Sequence, residues 1–181
     1  QLGPIDILIN NAGTSQRDPF LQVSDELWQN DLDLKLFAAI RLARLVLPGM
    51  QERGWGRIIN VLNIGAKAPA AEGAPTAVSR AAGMALTKVL AGEAAPHNVL
   101  VNALLVGLID SNQHEVRHQT VGTDISYEDF LQDMSDANKI PLGRVGRAQE
   151  FADIACFMAS DRASYLSGVA INVDGGRSPV V

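Results

Sequence analysis

The sequence predicts a parallel α/β fold on the strength of three observations. Short apolar segments alternate with longer stretches of helical periodicity. Each short segment is almost continuously apolar, as expected for strands that helices cover on both faces. No internal repeat, linker or low-complexity tract interrupts the alternation, so residues 1–181 are expected to form one domain. The predicted strands are Ile5–Asn10, Gly56–Asn63, Val99–Leu105 and Val169–Val173.

Three helices are predicted between these strands. Ser24 is suited to cap the first helix, because two acidic residues follow it at the positive end, and this helix is expected to run towards Met50. The second begins near Pro75, since proline favours a first helical position. The third covers about Ala148 to Ala159, and the polar stretch 111–141 is expected to be a helical excursion or lid.

Composition excludes several classes of partner and location. The net charge is −5 and no Lys/Arg-rich block occurs, so a nucleic acid is not expected as a partner. The longest apolar runs, such as Val99–Val106, are much shorter than the roughly 18 residues of a membrane span, so no membrane contact is expected. The single cysteine, Cys156, lies in an apolar helical run and is expected to be buried. With no disulfide possible and no charged leader, a cytoplasmic protein is predicted.

A short metal-binding pattern offers an alternative function. The residues His114, Glu115 and His118 match His-Glu-x-x-His, which on a helix presents two imidazoles to zinc. The glycine that should follow three positions after the second histidine is one place late, at Gly122, and no further histidine follows. We therefore favour a surface helix without metal over a zinc hydrolase.

Several separated motifs point to a known family. In order and spacing, DILINNAG, GRIINV, LTKVLAGE, VLVNALLVGLIDS and YLSGVAINVDGG resemble the short-chain dehydrogenase/reductases, with 3-oxoacyl-thioester reductases as the most similar type. The resemblance covers the chain except the 111–141 stretch. It implies a Rossmann-like, doubly wound parallel sheet, of which this chain holds the C-terminal four strands and their flanking helices. The N-terminal third, with its Gly-rich loop, is expected to be absent, which would leave Ile5–Asn10 as an exposed apolar edge.

The resemblance implies NAD or NADP as the cofactor. The residues after the first strand would pass close to the adenosine ribose, and the loop after the third would hold the nicotinamide carboxamide. Val106 stands where the family usually has proline, so this loop is expected to be less rigid. The implied cofactor-binding positions are Asn11, Ala12, Gly13, Arg80, Val106, Gly107, Ile109 and Ser111.

At each of the family's four catalytic positions, this chain has a residue different from the usual one. Where members have Asn, Ser, Tyr and Lys, this chain has Lys35, Asn63, Thr76 and Arg80, the last two in the Tyr-x-x-x-Lys spacing. A threonine is a far weaker acid than a phenol, and Arg80 stays cationic at any working pH. Asn63 keeps an amide donor that can polarise a carbonyl. Lys35, beside Arg80 and partly desolvated, is a candidate general acid.

The ordinary alternative for these residues is structural. Thr76 would cap its helix, Asn63 would close a turn and Lys35 would reach solvent. Because all four positions differ together, altered or abandoned chemistry explains them better than coincidence does.

Two functions follow from the resemblance. The first is an NAD(P)(H)-dependent oxidoreductase that acts on a small-molecule carbonyl of 3-oxoacyl type or on a conjugated enoyl substrate; dienoyl-thioester reductases of the family also have a small hydroxyl residue in the tyrosine position. The second is a catalytically silent nucleotide-binding or structural subunit. A homodimer, homotetramer or hetero-oligomer is expected, because family members associate through the helices here at Ser24–Met50 and Thr76–Glu93.

Overall fold

The core of the fold is a four-stranded parallel sheet in the order β1-β3-β5-β6. The computed structural model describes residues 3–122 and 124–181. A second, two-stranded antiparallel ribbon joins β2 and β4. The strands are β1 (Ile7–Asn10), β2 (Arg17–Asp18), β3 (Gly56–Asn63), β4 (Ala74–Pro75), β5 (Val99–Val106) and β6 (Ala170–Val173).

The four predicted strands are confirmed, with small differences at their ends. β3 has the predicted bounds, β1 and β6 begin two residues and one residue late, and β5 extends one residue further, to Val106. The ribbon of β2 and β4 was not predicted, because two-residue strands are too short to show a periodicity.

The predicted helices are confirmed in type and approximate extent. Ser24 caps the first helix, since its Oγ accepts the backbone N–H of Leu27 at 3.2 Å. A π-helical turn, Asp33–Phe37, interrupts the run to the C-terminal end, where Gly54 adopts the left-handed conformation with φ of 64°. The helices are α1 (Asp25–Leu32), α2 (Ala38–Arg53), α3 (Thr76–Ala94), α4 (Asn112–Val121), α5 (Tyr127–Ala137) and α6 (Ala148–Ala159).

The stretch 111–141 contains α4 and α5, so its helical character is confirmed for the described residues; Thr123 lies outside them. Its role as a lid stays a prediction.

Helices cover both faces of the sheet, as the doubly wound fold requires. On one face Ile58 packs with Val46 of α2 and residues of α3. On the other face its neighbour Ile59 packs with Met158 of α6. Successive strand residues point to opposite faces, which explains why β3 and β5 are apolar almost throughout.

Strand β1 forms an open edge of the sheet, as the sequence predicts. The residues Ile5, Ile7 and Ile9 are 53%, 44% and 45% exposed. β1 pairs only with β3 among the described residues, so its other side carries unpaired backbone groups.

The expectation that Cys156 is buried is wrong. Cys156 is exposed on α6, because Ala155 and Met158 take the positions that face the sheet. The thiol therefore lies on the outer side of an apolar helix.

Within 3–122 and 124–181, every helix is too short or too polar to cross a membrane.

Candidate functional site

The candidate site lies where the parallel strands end. Asn10, Asn63 and Val106 are the last residues of β1, β3 and β5, which are neighbours in the sheet. The loops that leave such ends line the ligand crevice of open α/β sheets. α3 begins beside this edge, and its first turns supply Thr76 and Arg80.

A buried network joins the π-helical turn to the start of α3. Lys35 Nζ donates to Asp31 Oδ1 in a very short contact and to Thr76 Oγ1 at 2.8 Å. The side chains of Lys35 and Asp31 are only 1% and 2% exposed. Ser79 Oγ donates to the other carboxylate oxygen of Asp31 at 2.5 Å. The two opposite charges compensate each other where water does not reach them.

The hydroxyl group of Thr76 has its hydrogen-bonding capacity filled. Its oxygen accepts from Lys35 Nζ and from the backbone N–H of Gln16 at 3.0 Å. Its hydrogen is directed to Asp31 Oδ1 at 3.3 Å, the longest of the three bonds. The β2–β4 ribbon holds the Gln16 segment over Thr76, which is buried.

Burial controls the acidity of Lys35. Desolvation of its ammonium group is the main cause that lowers the pKa of Lys35 below the usual lysine value. The hydrogen bond and charge of Asp31 oppose this effect, and the positive charge of Arg80 adds to it. The prediction that burial and Arg80 lower this pKa is confirmed, with burial as the larger cause.

Arg80 is a half-buried cation at the open side of the site. Its Nη1 donates to the carbonyl oxygen of Val61 at 2.6 Å, and its Nε has no partner among the described residues. Desolvation lowers the pKa of Arg80, although a guanidinium remains charged in any case. Its Nη2 occupies the space that a Cβ on Gly13 would need. Gly13 therefore allows the guanidinium to lie against the loop after β1.

Asn63 lies between β3 and a 3₁₀ turn, Ile64–Ala66. Its side-chain oxygen is buried and has no partner in the described part of the chain. An unpaired buried amide oxygen is costly unless a ligand or water completes it. Arg80 Nε is likewise buried without a partner among the described residues, so two polar atoms of the candidate positions are unsatisfied.

The remaining positions implied for the cofactor follow β1 and β5. Asn11 and Ala12 are exposed, and Ser111 is exposed immediately before α4. A Cβ on Gly107 would lie 2.6 Å from Cα of Asp174, so packing within the chain already requires this glycine. Ile109 forms a bridge to Gly146, and Val106 pairs with Asn63. Their contact with a cofactor stays a prediction.

The structural alternative is wrong for all three of its residues. Lys35 does not reach solvent, because Asp31 and Thr76 hold it inside. Thr76 is the first residue of α3, and no side-chain capping bond is made there. Asn63 precedes a turn but does not close it through its side chain.

Three residues of the site were not foreseen from the sequence. Asp31 precedes Lys35 by four positions on a predicted helix, a spacing that indicates an ion pair and could have revealed it. Ser79 and Gln16 carry no such signal, because their contacts join segments 48 and 60 residues apart.

The histidine pattern is located on α4, which begins directly after Ser111. His118 Nε2 lies 2.9 Å from the carbonyl oxygen of Ile125, and its ring packs against Tyr127 and Phe130. Burial lowers the pKa of His114. The described residues hold no group of three metal-ligating side chains.

Comparisons with known proteins place the chain among reductases. Residues 1–178 match the family model described as enoyl-(acyl carrier protein) reductase. The 3-oxoacyl-(acyl-carrier-protein) reductase FabG of Aquifex aeolicus (strain VF5) is 34% identical over 172 residues, which are 95% of this chain and 65% of that protein.

Two solved structures share the fold. The NADPH-bound short-chain oxidoreductase of Pseudomonas aeruginosa PAO1, which contains an atypical catalytic centre, is 33% identical with a TM-score of 0.91, over 99% of this chain and 68% of that one. The L-sorbose reductase of Gluconobacter frateurii, in complex with NADPH and L-sorbose, is 35% identical with a TM-score of 0.92, over 100% and 69%. The chain thus spans about two thirds of the length of these relatives.

Proposed function

The chain belongs to the short-chain dehydrogenase/reductase family, and from that premise we propose that it is part of an NAD(P)(H)-dependent oxidoreductase with non-standard acid–base residues. The substrate class is a carbonyl of 3-oxoacyl type or a conjugated enoyl compound. The matches to a 3-oxoacyl reductase and to an oxidoreductase with an atypical catalytic centre support this proposal. The observation that carries it is the continuous hydrogen-bonded chain from Asp31 through Lys35 to Thr76.

The open side of the site fits a nucleotide cofactor. The two buried polar atoms without a partner, on Asn63 and Arg80, favour a polar ligand there. The guanidinium of Arg80 is a suitable donor for ribose hydroxyls, because it presents several N–H groups at once. NAD or NADP, when bound, would supply hydride transfer at its nicotinamide ring. Asn11, Ala12, Gly13 and the Val106–Ser111 loop are the other residues that we propose for holding it.

Lys35 is the proposed source of the proton. Thr76 would donate its hydrogen to the substrate oxygen and take one from Lys35 Nζ, 2.8 Å away. The hydrogen bond from the Thr76 hydroxyl to Asp31 is 3.3 Å long and therefore weak. Turning the hydroxyl hydrogen towards the crevice would thus cost little free energy. The lowered pKa of Lys35 makes its ammonium group a better proton donor than that of an ordinary lysine. Asn63 is the proposed donor that polarises the substrate oxygen.

The alternative is a nucleotide-binding or structural subunit without turnover. The specific observation that favours it is the cover over Thr76, whose oxygen also accepts the backbone N–H of Gln16. Unless this segment moves, the hydroxyl cannot reach a substrate.

Replacement of Lys35 tests the proposal. In the intact protein, Lys35→Met should abolish oxidation of NADPH while the Kd for NADPH stays within about twofold, because the cation that faces the crevice is Arg80. Lys88→Met, which removes an exposed lysine of α3, is the matched control. Unchanged turnover in Lys35→Met would exclude the acid role. If the wild type binds NADPH without oxidising it across a panel of carbonyl and enoyl thioesters, the silent alternative is correct.

Association into a homodimer, homotetramer or hetero-oligomer is part of the proposal. Exposed apolar side chains on the two long helices support it; Leu45 of α2 is 77% exposed, and Val89 of α3 is 57% exposed. Leu45→Lys should shift the protein to a smaller species in light scattering, whereas Val116→Lys on α4 should not.

A further inference from the structure

The role of Asp31 goes beyond the four catalytic positions of the family. Its carboxylate accepts hydrogen bonds from Lys35, Ser79 and Thr76, which belong to two different helical segments. The carboxylate is almost fully buried, so folding removes the water that would otherwise solvate its charge, and this is unfavourable. A carboxylate that served no purpose would not normally be buried, because its burial is costly.

Asp31 is geometrically able to set where Lys35 points. The two residues are four positions apart, on one side of a helical run that turns π-helical at Asp33–Phe37. Lysine has a long, flexible side chain, and a single acceptor on Thr76 would not fix its end. Ser79 holds the second carboxylate oxygen, which prevents the carboxylate from rotating away from Lys35.

We propose that Asp31, anchored by Ser79, is the positioning residue that holds Lys35 Nζ against Thr76 and keeps its ammonium group charged. This inference rests on the proposed function, because it names the group that prepares the proposed proton donor. Because its side chain is almost fully buried, Asp31 would act on the substrate only through Lys35.

The electrostatics give this inference a measurable sign. The charged groups that act on Lys35 are Asp31 from α1 and Arg80 from α3. Asp31 raises the pKa of Lys35, whereas burial and Arg80 lower it. If the charge of Asp31 is removed, only the lowering causes remain. A general acid works only while protonated, so activity should then be lost at a lower pH as the pH rises.

The test compares Asp31→Asn with wild type in the intact protein. The protonation of Lys35 is followed by the chemical shift of its ¹³Cε atom, assigned with Lys35→Arg, and the pH profile of NADPH oxidation is recorded in parallel. In Asp31→Asn both midpoints should move to lower pH by about one unit or more, a tenfold change in proton affinity. Ser79→Ala, which keeps the charge, should cause a smaller shift. Asp33→Asn, on the same helical run but paired with exposed Arg41, should cause none.

The outcomes separate the inference from the proposed function. An unchanged ¹³Cε midpoint in Asp31→Asn would overturn the inference even if the enzyme is active. A shifted midpoint in a protein without turnover would support the positioning role and reject the proposed function. If Asp31→Asn does not fold, Asp31→Asn/Lys35→Met decides: a folded double variant supports the charge pairing, and an unfolded one overturns it.

Discussion

Lys35 Nζ lies 2.8 Å from Oγ1 of Thr76, although the two residues are 41 positions apart in the chain. The bond connects the π-helical turn to the first residue of α3, inside the protein and beside the crevice edge of the sheet. The resemblance to the family predicts that these two residues stand where members have asparagine and tyrosine, with different chemistry.

Replacing Thr76 by valine should weaken the fold as well as the site. Valine has the shape of threonine but no hydroxyl, so Lys35 and the N–H of Gln16 each lose an acceptor. We expect the free energy of unfolding to fall by about 1–3 kcal/mol, the usual cost of leaving buried polar groups unpaired. Denaturant unfolding measures this change. Thr76→Ser keeps the hydroxyl and is the control; equal stability of the valine and serine variants would contradict the contacts described above.

Replacing Gly13 by alanine should impair cofactor binding more than stability. The new Cβ would meet Nη2 of Arg80, which is the movable end of a long side chain, so Arg80 would shift away. We expect the Kd for NADPH to rise about tenfold, the equivalent of one charge-assisted hydrogen bond. Gly92→Ala is the control, since no atom lies within 4 Å of its Cβ and helix propensity should stabilise α3 by about 0.5–1 kcal/mol. Calorimetric titration with NADPH would reject this role of Gly13 if both variants bind alike.

Glu150 should make the stability of the protein pH-dependent in acid. Arg144 binds its carboxylate through two nitrogens and the N–H of Arg147 adds a third bond, which lowers the pKa of Glu150 to about 2. A depressed folded-state pKa means that this stabilisation is complete above the unfolded value near 4.5 and is lost as the pH falls towards 2.

Glu150→Gln should remove this component, seen as a flatter dependence of unfolding free energy on pH between about 4.5 and 2. Glu128→Gln, on α5 and outside the ion pair, is the control. The difference should shrink in 1 M salt because the pair is exposed. If the unfolding free energy of Glu150→Gln depends on pH in the same way as that of the wild type, the ion pair of Glu150 with Arg144 contributes nothing to the pH dependence of stability.

The open edge at β1 should make the 181-residue chain, expressed by itself, fold poorly. Ile7 and Ile9 expose apolar surface beside unpaired backbone groups, a combination that promotes association. We expect a broad thermal transition and large species in size-exclusion chromatography, reduced by Ile7→Lys with Ile9→Lys. Val116→Lys, on exposed α4, should not help. A sharp, cooperative melt of a monomer would contradict this prediction.

Local signals in the sequence determined most of the architecture. Periodicity alone gave the bounds of β3 and α6 residue for residue, and the cap at Ser24 located the start of α1. The position of the open sheet edge also followed from the sequence, whereas the assignment of Lys35, Asn63, Thr76 and Arg80 to the family's catalytic positions stays a prediction. These features depend on neighbours within a few residues, or on motifs in a fixed order.

Only the tertiary structure decided what those residues touch. Cys156 is exposed because the rotation of α6 about its axis depends on which side meets the sheet. Lys35 is buried because Asp31 and Thr76 bind its ammonium group, while Ser79 holds the other carboxylate oxygen of Asp31. The sequence alone does not show which polar side chains will meet in a space without water. A buried charge is stable only with its partners in place, and folding brings these together from segments more than 40 residues apart.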